Sequence, residues 1–269
     1  MTVERVALFV EGSIEGRAAN RRDDPLISIW NNLLCEAVGI PHFDVVLPMS
    51  KKHLVAMDPS NPKMSGAGEP FDEYLARQLK THEFDAAVVA WDLVPRWNPN
   101  DEFCRWQETL DFYGFVGQSE SEALPENWKT QARNRHATLL KSHSTKPPQL
   151  KRGMLLALCM EPMFEVLLTH DEAALRRAFG CSETPRNWPR HGWADPHPSN
   201  PDRSILHPAI DAIQAVRPKL KCANQVRGDF TTNKNGWGEF LLRKLLGDER
   251  AKSQVLATPF VTRLSQIRR

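Results

Sequence analysis

The sequence predicts an α/β fold: a doubly wound, mainly parallel sheet followed by a helical C-terminal extension. Apolar, β-prone runs at 3–10, 42–48 and 84–92 alternate with helical segments through the first 92 residues, the order that builds parallel sheets. A fourth apolar run, MLLALC, lies at 154–159, and helix signals dominate after it. That later excess of helix leaves an α+β arrangement as the alternative.

VERVALFV (3–10) is rich in Val and Phe and stops at Glu11-Gly12, as a strand entering a turn does. Asp24 and Pro25 then open PLISIWNNLLCEAVG, with Asp at the cap, Pro at the first helical position and Gly39 at the far end. HFDVVLP (42–48) predicts a second strand, and the Pro/Gly-rich stretch 58–69 a loop. A helix from Pro70 to His82 places Phe71, Tyr74, Leu75 and Leu79 on one face. FDAAVVAWD (84–92) is apolar on both faces, as a buried parallel strand is. Helices follow at 101–114 and 127–142. MLLALC then predicts a strand that turns at Met160-Glu161 into a helix with Pro162 in its first turn. DEAALRRAFG predicts a short helix closed by Gly180. Residues 181–208 read as irregular, and helices return at HPAIDAIQAV, WGEFLLRKLL and 252–267. Gly236-Trp237-Gly238 reads as a turn leading into the second of these. With no evident linker, residues 1–180 are expected to form the core and 181–269 to pack on it as the extension.

The composition supports a packed core, with 269 residues, 41% apolar and 25% charged. No apolar run approaches the roughly 18 residues of a membrane helix, and the first residues lack the pattern of a secretion signal. A cytoplasmic protein without membrane association is therefore expected. Five scattered cysteines with no CxxC pair argue against a zinc ribbon or disulfide framework. There is no GxxxxGK[ST] and no GxGxxG, which argues against nucleoside triphosphatase chemistry in this chain.

Three predicted strands end in acids: Glu11, Asp92 and Glu161. Ligands of open parallel sheets sit outside those strand ends. Glu15 and Glu165 each lie four residues beyond the first acid of their segment, on the same face of a helical turn. Converging carboxylates repel one another unless a cation neutralises them, and hard oxygen ligands suit Mg²⁺ or Mn²⁺. A divalent ion so held serves phosphodiester cleavage. Against this stands the ordinary use of an acid after a strand, as a turn or helix-capping residue.

VALFVEGSIE resembles the first motif of the Toprim fold, an apolar strand followed by Glu-Gly. The spacing of Glu11 and Glu15 is closest to the OLD-type nuclease branch, where both acids can touch metal. VVAWDLVP is similar to the second Toprim motif, a strand followed by Asp-x-Asp, but Val94 occupies its second acidic position. FEVLLTHDEAALRRAFG resembles a segment of an uncharacterised bacterial Toprim-like family whose members are often encoded beside ATPases. Glu165 and Asp171 fall on its acidic positions. The resemblance covers about residues 3–16, 84–95 and 150–180. It implies a Mg²⁺- or Mn²⁺-dependent nuclease acting on DNA or RNA, the effector of a bacterial anti-phage system. Glu11 and Asp92 would be catalytic, and Glu11, Glu15, Asp92 and Glu165 the metal ligands. The alternative is a non-catalytic Toprim-like subunit that binds a partner such as an ATPase.

The C-terminal stretch is locally basic, and Arg243 and Lys244 are candidate phosphate contacts, as is Arg17 after the first motif. Solvated helix and loop faces would account for them equally well. Lys51 and Lys52 after the second strand are open to both interpretations. His191, His197 and His207 lie near Asp195 and Asp202 but match no zinc spacing. Trp188, Trp193 and Trp237 sit in Pro/Gly-rich surroundings and are candidates for base stacking, partner binding or loop anchoring.

Overall fold

The computed structural model describes residues 3–12, 24–64, 66, 68–97, 104–142, 147–191, 193, 200–216, 230 and 233–269. Its sheet contains β1 (Val6–Glu11), β2 (Val45–Met49), β3 (Ala86–Asp92) and β4 (Met154–Met160), all parallel, in the order β2-β1-β3-β4. Each apolar run of the sequence is thus a strand, and the α/β expectation holds. The chain divides into two compact units. One comprises Met1–Ala19, Phe43–Met160 and Gln266–Arg269, the other Asn20–His42 and Glu161–Ser265.

In the first unit the strand order follows from burial. The two central strands are the most apolar, and Ala7, Leu8, Phe9, Ala87, Val88, Val89 and Ala90 are fully buried, as strands of a parallel sheet covered on both faces must be. One face, carrying Phe9, Val89, Trp91 and Cys159, packs on three helices: α3 (Phe71–His82), α4 (Arg105–Gly117) and α5 (Glu126–Ser142). Phe9 meets Phe71, Tyr74 and Phe84 edge-on at 5.4–5.8 Å, the arrangement aromatic quadrupoles favour. Each such side chain contributes about 1.5–3 kcal/mol by leaving water. Tyr113 of α4 fixes the edge strand: its hydroxyl donates to the Leu155 carbonyl and accepts from the Ala157 amide.

The sequence reading missed a short helix here, α2 (Lys51–Val55). Ser50 caps it, its hydroxyl accepting from the Lys52 amide at 3.2 Å. Ser is a strong N-cap, but five residues carry too little periodicity to stand out in the sequence.

In the second unit, Pro25–Ile27, Ser28–Cys35 and Glu36–Val38 run on as one helical stretch, α1, whose centre is wound wider than an α-helix. Its predicted signals are all in place: Asp24 accepts from the Leu26 amide, and Gly39 ends the helix at φ 70°, which a residue without Cβ adopts at little cost. The remaining helices among the described residues are α6 (Val166–Thr169), α7 (Glu172–Ala178), α8 (His207–Ala215, entered through a wider-wound stretch, Asp202–Leu206), α9 (Lys234–Leu246), α10 (Glu249–Ala257) and α11 (Pro259–Leu264).

The single helix expected at 252–267 is two, α10 and α11, which meet at Thr258, and two further expectations differ from what is observed. Pro162 does not start a helix; it follows a cis peptide in a bend, and α6 begins four residues later. Gly236-Trp237-Gly238 lies inside α9, whose cap is Asn233. The segments 24–38 and 161–180 group with the C-terminal helices rather than with the sheet. The cause is side-chain pairing distant in sequence: Trp30 packs edge-on against Phe260 at 5.7 Å, and Arg177 pairs with Asp248 at 2.8 Å.

Candidate active site at the carboxyl ends of the central strands

Glu11 ends β1 and Asp92 ends β3, the two neighbouring central strands. The chain leaves β1 for β2 on one side and β3 for β4 on the other. The crevice beyond the carboxyl ends of β1 and β3 is therefore the topological switch point, where open α/β sheets bind ligands.

The Glu11 Oε2 accepts from the Asp92 amide at 2.9 Å, so the first strand's acid caps the end of the third. Lys51 supplies the counter-charge. Its register follows from the sheet: Glu11 pairs with Met49 of β2, and Lys51 stands two residues further, at the first position of α2. The Lys51 Nζ lies 3.3 Å from the Glu11 Oε2 and also donates to the backbone carbonyls of Asp92 and Pro95. One ammonium thus ties together the ends of β2, β1 and β3. The pair is largely withdrawn from water, with side chains 13% (Lys51) and 18% (Glu11) exposed.

Burial pushes the Glu11 carboxyl above its ordinary value. The Lys51 charge and the Asp92 amide pull it down without cancelling that effect. A carboxyl raised in this way retains its proton closer to neutrality, as a group that must accept and return a proton requires.

The other predicted site residues are distributed differently. Glu15 and Arg17 lie outside the described residues, as do Asp195 and His197. Glu161 is exposed in the bend after β4. Glu165 precedes α6 in the second unit, where its carbonyl accepts from the Leu168 amide. Asp171 is a helix cap, accepting from the Ala174 amide and pairing with Arg250 at 3.0 Å. Arg243 pairs with Glu239 at 2.8 Å and donates to the Ser28 hydroxyl, whereas Lys244 is exposed in the last turn of α9. His207 pairs with Asp211, and Asp202 with Lys234. Trp188 and Trp237 are buried, and Trp193 stacks on Trp188 with centroids 6.0 Å apart. Trp188 and Trp237 serve as core and loop anchors because indole burial outweighs the Pro/Gly character of their surroundings.

Among the described residues, no group of three or more His, Cys, Asp or Glu side chains is placed to hold a metal ion. Two hard-oxygen side chains, Glu11 and Asp92, do stand at adjacent strand ends. Mg²⁺ keeps several waters and is commonly held by one or two carboxylates, the donor chemistry that these two residues offer. Sequence reasoning left Lys51 open: Ser50, two residues past the predicted strand, signals a helix start but not that β2 lies beside β1. Comparison of the chain with protein-family models, curated proteins and solved structures finds no match.

Proposed function

We propose that the chain is a Toprim-like, Mg²⁺- or Mn²⁺-dependent nuclease that hydrolyses phosphodiester bonds of DNA or RNA at the carboxyl ends of β1 and β3. The observation that carries this reading is the buried Glu11 carboxyl, raised above its ordinary value, at the switch point beside Asp92. Perturbed acids at such positions are characteristic of functional sites.

Glu11 and Asp92 would hold the ion, and a bound ion lowers the pKa of its water and stabilises the phosphoryl oxygens. Where Glu11 is not itself the ligand, it would take up and return the proton of the attacking water. Lys51 keeps the pocket from accumulating negative charge as the phosphate enters.

Cleavage of supercoiled plasmid and of RNA with Mg²⁺ or Mn²⁺, by wild type and Glu11→Ala, tests the reading. Divalent-dependent cleavage lost in the variant supports it. No cleavage by wild type, alone or with the product of a neighbouring ATPase gene, sinks it. One observation favours the second reading, a non-catalytic subunit that binds such an ATPase: Val94 stands where the motif calls for a second acid, and a lysine already neutralises the first. Co-purification with the ATPase in the absence of nuclease activity would be its mark.

A further inference from the structure

Lys51 is more than a partner for Glu11. An ammonium has three donors and no acceptor, and here the Glu11 Oε2, the Asp92 carbonyl and the Pro95 carbonyl receive them. One carboxylate and two backbone carbonyls are the same oxygen types that surround a bound metal cation. Three features separate this arrangement from an ordinary surface ion pair. Both side chains are less than one-fifth exposed, so the pair is screened little by solvent. The acceptors come from the ends of two different strands and the loop after β3, so the ammonium organises the site's floor. The residue two past Asp92 is the apolar Val94, so that position adds no carboxylate for a further cation to neutralise.

We propose that the Lys51 ammonium is the resident cation of this site, neutralising Glu11 in the way a second divalent ion would, so that the site takes at most one divalent ion. This rests on the nuclease reading for the ion itself, but not for the role of Lys51. Lys51 is a positioning residue: it holds the Glu11 carboxylate and the carbonyls of Asp92 and Pro95 in a fixed arrangement. Removing the ammonium leaves a buried carboxylate and two carbonyls facing the vacated space, a set that attracts a hard cation.

The test is Mn²⁺ binding to the intact chain, without substrate, followed by electron paramagnetic resonance. Wild type and Lys51→Arg are expected to bind no more than one Mn²⁺. Lys51→Ala is expected to bind Mn²⁺ about tenfold or more tightly than wild type, because affinity follows the uncompensated ligand charge. Glu11→Gln/Lys51→Ala should lose that gain. Unchanged or weaker binding in Lys51→Ala would overturn the assignment, as would two Mn²⁺ in wild type. Should Lys51→Ala be unfolded in buffer, circular dichroism with added Mn²⁺ decides: recovery of the folded signal supports the assignment, and a chain unfolded at every Mn²⁺ concentration overturns it. The nuclease reading fails on a different result, wild type that never cleaves, and these binding outcomes stand whether or not it does.

Discussion

The two ends of the same sheet use the same chemical parts to opposite effect. At the amino ends of β1 and β3, Asp85 accepts from the Glu4 and Arg5 amides at 2.9 and 3.2 Å and pairs with Arg152 at 2.7 Å. Asp44 likewise accepts from the Val6 amide and pairs with Arg269 at 3.1 Å. At the carboxyl ends, Glu11 accepts from one amide and pairs with Lys51. Each site is a carboxylate, a backbone donor and a cation. Burial pushes both Asp85 and Glu11 upward. For Asp85 the two amides and Arg152 more than reverse this and hold the carboxyl below its ordinary value, whereas for Glu11 burial wins. The heavier burial penalty at Glu11 and the second amide at Asp85 together make the difference: the amino end is a structural clasp, and the carboxyl end leaves its carboxyl above the ordinary value.

The largest effect that would break this contrast is on activity. Glu11→Gln keeps the shape and removes the proton acceptor, so the cleavage rate should fall by about 10²–10⁴-fold. Asp85→Ala should leave it unchanged, as assays of plasmid nicking would show. Equal losses in both variants would erase the distinction between the two ends.

Stability should respond next. Lys51→Met leaves a buried carboxylate without its partner and should cost about 3 kcal/mol in urea denaturation. Adding Glu11→Gln should recover part of that loss, since the charge is then gone. A double variant no more stable than Lys51→Met would show that Lys51 acts by packing alone.

The pH dependences should have opposite signs. A carboxyl held below its ordinary value contributes stability that is present above the unfolded value and lost as pH falls through the folded one. The advantage of wild type over Asp85→Ala should therefore shrink on acidification. Glu11, raised in the folded state, binds its proton more tightly there. Its cost to the folded chain grows as pH rises from the ordinary carboxylate range through the raised value, so the stability of Glu11→Gln relative to wild type should increase with pH. Denaturation midpoints measured across the acid range compare the two slopes, and slopes of like sign would contradict the contrast.

The smallest effect is expected where α3 is tied to the last residues of β2. Tyr74 donates to the Pro48 carbonyl at 2.7 Å and is pushed up to about 12, burial being the main cause. Tyr74→Phe should cost about 1 kcal/mol through the lost hydrogen bond. An ultraviolet titration should show both tyrosines, Tyr74 and the buried Tyr113, ionising above the usual range, and only the Tyr74 transition should be absent in the variant.

The strands were legible because a fully buried parallel strand leaves an unbroken apolar run such as AAVVAW. The caps at Asp24 and Gly39 were legible because their chemistry is local. Pro162 misled because a proline at a helix start and one in a bend share the same fixed φ. Trp188 and Trp237 were left open between stacking, partner binding and loop anchoring because the partners that bury an indole are distant in sequence. Of the site, Glu11 and Asp92 were marked by their place after apolar runs. Lys51 was not, because nothing near it in sequence shows that β2 lies beside β1.

By itself, then, the sequence determined the four strands, most of the helices and the two acids that end the central strands, since apolar patterning and capping act over a few residues. The tertiary structure decided the strand order, the grouping of 24–38 and 161–180 with the C-terminal helices, and the counter-ion of Glu11. Those depend on which surfaces meet after the chain has closed loops of tens of residues, and local composition carries no record of that pairing.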